Sequence, residues 1–281
     1  MFVSDDSFDF RFLTAKDDIL PGELIATETS HSLMLDRKHV TSHCDACLQV
    51  LPADFYPCTR CSLARFCSRG CQVTTRRRAQ WHVTCIVCQD KSLQSHHQFE
   101  CLIQDTLYRA GLGAWLLAFR IVCSRSLSDW LGVKDDLENH NEDLGLSGEH
   151  EYSSEDTLTV FHLVTHDQSE KREAPVLMKE CLAALFFLRC LQHKNYFGQA
   201  SVGTRTLTSD EMFITLLLHH FMRVVFYNCH EVTHLQPGDH WTSSKVIKIG
   251  VAINPSLALI NHSCDPNYAR GERWLECIKL F

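Results

Sequence analysis

The chain has 281 residues, 45% of them hydrophobic, which is enough to bury a substantial core and to hold two or three modules. Its formal net charge of -7 and isoelectric point near 6.2 argue against wholesale phosphate binding, so a nucleic-acid partner is not expected. The longest apolar candidate, Val176 to Leu191, is broken by Lys179, Glu180 and Arg189, which argues against a membrane span.

The first predicted elements are strand and turn. Arg11 to Ala15 reads as a strand, Ile19-Leu-Pro-Gly22 as a turn and Glu23 to Glu28 as a second strand. Then the composition changes. Nine of the fifteen cysteines lie between Cys44 and Cys101. Six of them, Cys44, Cys47, Cys58, Cys61, Cys67 and Cys71, step as C-x2-C, ten residues, C-x2-C, five residues, C-x3-C. Such short steps let both thiolates of a pair reach one tetrahedral zinc from a tight turn. Six ligands cannot fill two four-coordinate sites. The run Ser95-His-His-Gln-Phe-Glu-Cys101 offers His97 and Cys101 as an H-x3-C step that one turn of helix can present to the second ion. Rival donors, His82 with Cys85 and Cys85 with Cys88, lie in the intervening stretch of about residues 73–91. The other reading of the cysteines, a disulfide framework, suits small secreted domains, whereas this chain is long and shows no secretory signal. A reducing compartment, the cytoplasm or nucleus, is the expectation. Arg76 to Arg78 read as a solvated loop.

Past Cys101 the pattern turns helical, with Leu102, Leu107, Leu112, Trp115, Leu116, Phe119 and Val122 near helical spacing and Gly111-x-Gly113 splitting the run. From Asp135 to Asp156 there are nine acids and no Lys or Arg, which predicts a solvated loop without chemistry. A helix from about Val176 to Gln192 is apolar nearly all round and is expected to be buried. Another is predicted to begin at Thr208, where Thr208-x-x-Glu211 has the form of a capping box, with Phe213, Leu216, Leu217, Phe221 and Val224 as its core stripe. Val246 to Ala252 is the best strand, and Asn254-Pro255 breaks it. Next comes Leu259-Ile-Asn-His-Ser-Cys-Asp-Pro-Asn267, whose small polar side chains behind an apolar strand suit a pocket better than a core.

The order of the cysteine pairs resembles the MYND zinc finger. That resemblance implies interleaving: Cys44, Cys47, Cys67 and Cys71 on one zinc, and Cys58, Cys61, His97 and Cys101 on the other. The stretch 73–91 is an insertion relative to the finger, and the residues around His97 and Cys101 favour them over His82 and Cys85. The run Asn261-His-Ser-Cys-Asp-Pro-Asn267 is similar to the NHSCxPN signature of SET-domain methyltransferases. Together the two motifs resemble the SMYD family of SET and MYND domain-containing lysine methyltransferases. Phrases such as Asp18-Ile-Leu-Pro-Gly-Glu23, Asn228-Cys-His-Glu-Val232 and Ile249-Gly-Val-Ala-Ile-Asn-Pro-Ser-Leu257 most resemble the member that elsewhere carries tetratricopeptide repeats, which are absent here.

The implied fold is α+β: a split, incomplete, β-rich SET domain at 1–43 and 246–281, an inserted MYND-type finger at 44–101, and a helical insert at 102–245. The implied cofactors are two structural zinc ions and S-adenosylmethionine, the latter touching Asn261, His262, Asn228 and Arg11. Asn228 also reads as a helix C-terminal asparagine satisfying its own backbone. Where the family's first cofactor loop has glycine before the arginine, this chain has Phe10 before Arg11. Tyr268 comes too early to be the family's catalytic tyrosine, no catalytic residue is assigned, and Cys264 reads as a free thiol without its post-SET partners. The expectation is a lysine methyltransferase by descent with weak or absent turnover, acting on histone or non-histone lysines. The alternative is a zinc-dependent interaction module that captures a proline-containing peptide on a non-catalytic SET scaffold.

Overall fold

A computed structural model of the chain describes residues 15, 17–26, 28–73, 96–137, 157–165, 173–198, 206–239 and 243–260 in full, and the backbone of 74, 138, 268–271 and 277–280. The fold is mixed helix and sheet, consistent with the α+β class.

In the first part, strands β1 (Leu24–Ala26) and β2 (Ser32–Leu35) precede the two-residue strands β3 (Tyr56–Pro57) and β4 (Arg65–Phe66) and the helix α1 (Arg69–Thr74). Helices follow: α2 (His96–Glu100), α3 (Gln104–Arg109), α4 (Leu116–Ser124), α5 (Leu127–Gly132), α6 (Lys134–Glu138), α7 (Thr157–Phe161), α8 (Ala174–His193) and α9 (Ser209–Asn228). The chain then runs through β5 (Cys229–Gln236), β6 (Lys245–Ile253), α10 (Pro255–Ala258), β7 (Tyr268–Gly271) and β8 (Cys277–Leu280).

All three sheets are antiparallel in their pairings. β6 is the middle strand of the main one, ordered β2-β6-β5, so the early residues 32–35 lie beside the later β5–β6 pair of consecutive strands. The β2–β6 approach is close enough that a Cβ on Gly250 would run into the Met34 carbonyl oxygen, which is why glycine stands opposite Leu35. A second sheet, β1-β8-β7, joins the N-terminal strand to the last one, with Leu24 opposite Lys279. The turn before β1 runs from Leu20 to Glu23, one residue later than the sequence suggests. Pro21 holds its second position, Gly22 at φ 83° its third, and Glu23 N donates to Leu20 O at 3.0 Å.

The main core is helical. Leu117, Phe119, Ile121 and Val122 of α4 meet Phe187 and Leu191 of α8 and Phe221 and Val225 of α9, with Trp130 of α5 closing one end and donating its indole N–H to Val122 O at 3.0 Å. The pleat of β2 explains the apolar run Leu33-Met34-Leu35 within it. Met34 faces this helical core while Leu33 and Leu35 point the other way, against Leu48, Ile249 and Ala252, so both faces are covered. Near the C-terminal end of β6, the carboxylate of Glu28 accepts from Ser256 N at 2.8 Å and Leu257 N at 3.1 Å, fastening α10.

Several expectations change. The segment predicted as a strand from Glu23 to Glu28 is strand only at Leu24–Ala26. α8 is not buried all round: Ala183, Ala184, Phe187, Leu188 and Leu191 are buried, but Val176, Leu177, Met178, Leu182 and Leu185 are exposed, because only one side packs on α9, with Phe187 reaching Phe119 of α4. Leu216 of α9 is exposed for the same reason, at 66%, while Phe213, Leu217, Phe221 and Val224 are core. The acidic run begins as helix, α6, rather than as loop. β5 lies inside the span expected to be helical. Two local signals appear as anticipated. Thr208 and Glu211 form a reciprocal capping box, and Gly111 and Gly113, both at positive φ, separate α3 from α4.

Candidate metal centres

Residues 44–71 have little apolar material of their own. Apart from cysteines, the buried cluster here contains only Ala64 and Phe66. What converges instead is sulfur. The turn at Cys44–Cys47 is closed by Leu48 N donating to Cys44 O at 2.9 Å, with Leu48 at φ 57°. That left-handed backbone costs a leucine about 1–2 kcal/mol, and burial of its side chain against Leu33 and Leu35 offsets it. On the other side the β3–β4 hairpin and α1, with the hydroxyl of Ser68 just before it accepting from Cys71 N at 3.1 Å, deliver Cys58, Cys61, Cys67 and Cys71.

The sulfurs sort into two groups. Cys44, Cys47, Cys67 and Cys71 have donor atoms within 4.8 Å of one another, and so do Cys58, Cys61, His97 and Cys101. Cys47 and Cys67 are 3.5 Å apart, Cys67 and Cys71 3.7 Å, and Cys58 and Cys101 3.9 Å. His97 Nε2 points at Cys61 Sγ from 3.8 Å. A disulfide needs about 2.05 Å, so none of these is one. A tetrahedral ion with bonds of about 2.3 Å spaces its sulfurs about 3.8 Å apart, and both donor sets, four sulfurs in one group and three sulfurs with a nitrogen in the other, suit it. Both groups could hold a metal ion. His82, Cys85 and Cys88 lie outside the described residues.

The electrostatics point the same way. Within the first group, hydrogen bonds and repulsion from Cys44, Cys67 and Cys71 push the Cys47 thiol far above its ordinary range, while contacts from Cys44, Cys47 and Cys71 hold Cys67 far below it. One thiolate thus keeps the protons on its neighbours, and a dipositive ion is what allows them all to ionise. In the second group, burial acts against the charged form of His97, but hydrogen bonding to Cys61 and the charge of Asp45 raise its pKa to about 9. Burial and the nearby Cys58 and Cys61 push Cys101 up to about 11.

Around both groups lies a polar layer. Arg120, the one charged residue of α4 and only 2% exposed, donates through Nε and Nη2 to the two oxygens of Glu100 at 2.7 and 2.8 Å, and through Nη1 to Leu33 O at 2.7 Å. Its Nη2 is 3.6 Å from Asp45 Oδ1, which also accepts from Gln104 Nε2 at 3.1 Å. Burial opposes ionisation of Asp45, but the Arg120 charge and the His96 side chain outweigh it and hold the carboxyl well below its usual range. Asp45, His96 and Glu100 themselves form a third set of metal-type donors. Arg120 already pairs with both of its carboxylates, so we read it as an ion network. Lys194, at the end of α8, donates to Cys101 O at 2.7 Å.

No family model matches the chain. Among curated proteins it is similar to "Protein-lysine N-methyltransferase SMYD4" of Danio rerio, 26% identical over 251 residues, covering 80% of this chain and 30% of the relative. The Pongo abelii protein of that name is 25% identical over a 324-residue alignment, 92% of this chain and 37% of the relative. The Gallus gallus one is 24% identical over 323 residues, 92% and 40%. These matches support the SMYD family. The chain spans 30–40% of the length of these relatives.

Of the cofactor residues that the SMYD resemblance implies, Arg11, Asn261 and His262 lie outside the described residues, as do Phe10 and Cys264. Tyr268 is placed by its backbone alone, opposite Leu280 in β7. Asn228 ends α9 with its side-chain amide donating to Val224 O and to Val164 O, each at 2.7 Å. It therefore satisfies the end of its own helix and ties the segment after α7 to it. Among the described residues no helix is long and apolar enough to cross a membrane. The residues that the sequence reading passed over are Asp45, Glu100, Arg120, Gln104 and Lys194. Their signal was present: one arginine inside an apolar helical run, and acids placed inside the C-x2-C and H-x3-C spacers.

Proposed function

We propose that the chain is a SET and MYND type protein built on two structural zinc ions, a protein-lysine methyltransferase by kinship whose own turnover is weak. The observation that carries this reading is the sorting of eight donors, drawn from separate chain segments, into the two interleaved groups that the MYND order implies. The printed names of the relatives supply the methyltransferase class.

Cys44, Cys47, Cys67 and Cys71 would hold one zinc, and Cys58, Cys61, His97 and Cys101 the other. Four protein donors at each leave no open position for a substrate or water, so the ions cross-link chain rather than carry out chemistry. S-adenosylmethionine would supply a methyl group on a sulfonium, received by an unprotonated lysine amine of a protein substrate, histone or non-histone. This chain's part is to bind and orient, through Asn261 and His262 with Arg11 near by. Asn228 contributes by fixing residue 164 against the end of α9, since both its amide hydrogens are already engaged there. By the family resemblance, phenylalanine in place of glycine at position 10 would crowd the cofactor or force the loop elsewhere, and turnover would suffer accordingly. The cytoplasm or nucleus suits a thiolate-rich protein of this kind.

The test combines elemental analysis, calorimetric binding of S-adenosylmethionine and transfer of labelled methyl to mixed nuclear and cytosolic proteins, each repeated on an Asn261→Ala, His262→Ala chain. We expect two zinc ions per chain in both, with cofactor binding and any transfer lost in the double variant. Two zinc ions without cofactor binding would instead favour a zinc-dependent module for protein or proline-containing peptide partners. Fewer than two zinc ions would overturn the reading of the centres.

A further inference from the structure

We infer that Arg120 couples the two metal centres, so that loading of one favours loading of the other. The inference rests on the reading of both groups as zinc centres. Asp45 lies inside the C-x2-C turn of the first centre, between Cys44 and Cys47, and Glu100 lies inside the H-x3-C turn of the second, between His97 and Cys101. Both carboxylates are buried, at 2% and 0% exposure, and Arg120 stands between them as their shared cation.

The geometry makes the two turns mechanically dependent. Cys101 N donates to His97 O at 2.7 Å, so the H-x3-C step is a single helical turn, and Glu100 is carried on it. Opening that turn withdraws Glu100 from both N–H groups it accepts. Arg120 is then left in the protein interior with Asp45, 3.6 Å away, as its remaining carboxylate. A buried guanidinium that has lost its main partner is strongly unfavourable, and the strain is relieved only by moving Asp45 and the Cys44–Cys47 turn, or by pulling Arg120 off Leu33 O and out of α4. When the first centre opens, Arg120 keeps its fork on Glu100 and loses only the Asp45 charge, yet the coupling is equal in both directions by linkage. Each ion therefore stabilises the other through a charge network, in addition to any effect of the interleaved chain.

Interleaving alone would also couple the centres, so the test isolates the arginine. Cobalt(II) serves as the probe on the full chain, because a four-sulfur site and a three-sulfur, one-nitrogen site absorb differently and each centre can be followed separately. Cys61→Ser disables the second centre, and the affinity of the first is measured by competition with a chelator. With Arg120 present, Cys61→Ser should weaken the first centre about 10-fold, within the range of about 5- to 150-fold typical of coupled sites. In an Arg120→Met chain the same Cys61→Ser change should give a clearly smaller fold-change, the part that remains being the contribution of the interleaved chain. Arg120→Lys keeps the charge and loses the fork, so it should give an intermediate value, and it decides the matter if Arg120→Met does not fold. An equal fold-change in all three backgrounds, or none with Arg120 present, overturns the inference. Absence of metal from both centres of the unaltered chain overturns the zinc reading and the coupling with it.

Discussion

The region of the metal centres and the helical body of α4, α8 and α9 solve the same problem by different means. The first buries Ala64 and Phe66 and otherwise relies on eight donor atoms, while the second buries large apolar side chains such as Phe119, Phe187, Phe221 and Trp130 from four separate helices. On the proposed zinc reading, stability in the first would depend on a few metal–ligand bonds of fixed geometry. In the second, it is spread over many contacts, no one of which is indispensable. The boundary between them is polar, made by Arg120, Glu100, Asp45 and Gln104, where loss of one partner strands a buried charge.

The most severe way to break this comparison is to remove metal. Structural zinc contributes roughly 10 kcal/mol or more in modules of this kind, so chelation should abolish amide protection over 44–71 and 96–101 while α8 and α9 keep most of theirs in hydrogen exchange. Loss of protection in α8 and α9 to the same degree would show that the helical body has no stability of its own. The converse experiment is Phe221→Ala, which empties a fully buried site among Phe161, Trp130 and α4. We expect a destabilisation of about 3–5 kcal/mol in urea with metal content unchanged, and loss of metal would contradict the division.

Acid should also separate the regions. His220 stacks on Phe161 and hydrogen-bonds its carbonyl at 2.8 Å, and burial lowers its pKa to about 4. Between its ordinary value of 6.5 and about 4 the unfolded chain binds a proton there and the folded chain does not, so stability falls as the pH drops through that window. The contribution lost is up to about 3 kcal/mol. A His220→Gln chain should show a flatter acid limb in that window, and a limb parallel to that of the unaltered chain would refute the assignment. Acid release of metal is common to both, so the difference between the curves reports the helical body alone. The smallest effect expected is that of Thr208→Ala, which removes the side-chain acceptor from Glu211 N at the start of α9 and should cost about 1 kcal/mol in thermal unfolding.

How much of this was legible depends on distance along the chain. The six cysteines from Cys44 to Cys71 stand out by spacing because C-x2-C and C-x3-C fix their geometry within a turn, whereas the choice of His97 and Cys101 over His82 and Cys85 rests on the MYND resemblance; the capping box at Thr208 and the glycine break before α4 are equally local. The exposed side of α8 was not legible, since Leu182 and Leu188 are the same residue type and only the position of α4 and α9 decides which is covered. β5 was missed because Cys-His-Glu-Val-Thr-His-Leu-Gln is half-buried and owes its strand to pairing with β6. The turn geometries, helix starts and ligand pairs were therefore determined by the sequence itself, because each is settled among residues at most a few positions apart. Which face of each helix is core, which strands pair, and which carboxylates share Arg120 were decided only in the tertiary structure. The Arg120 hydrogen bonds join residues 20 to 87 positions apart and β2–β6 pairing sets Leu35 opposite Gly250, and no local pattern in the chain encodes the partner that will neutralise a buried charge.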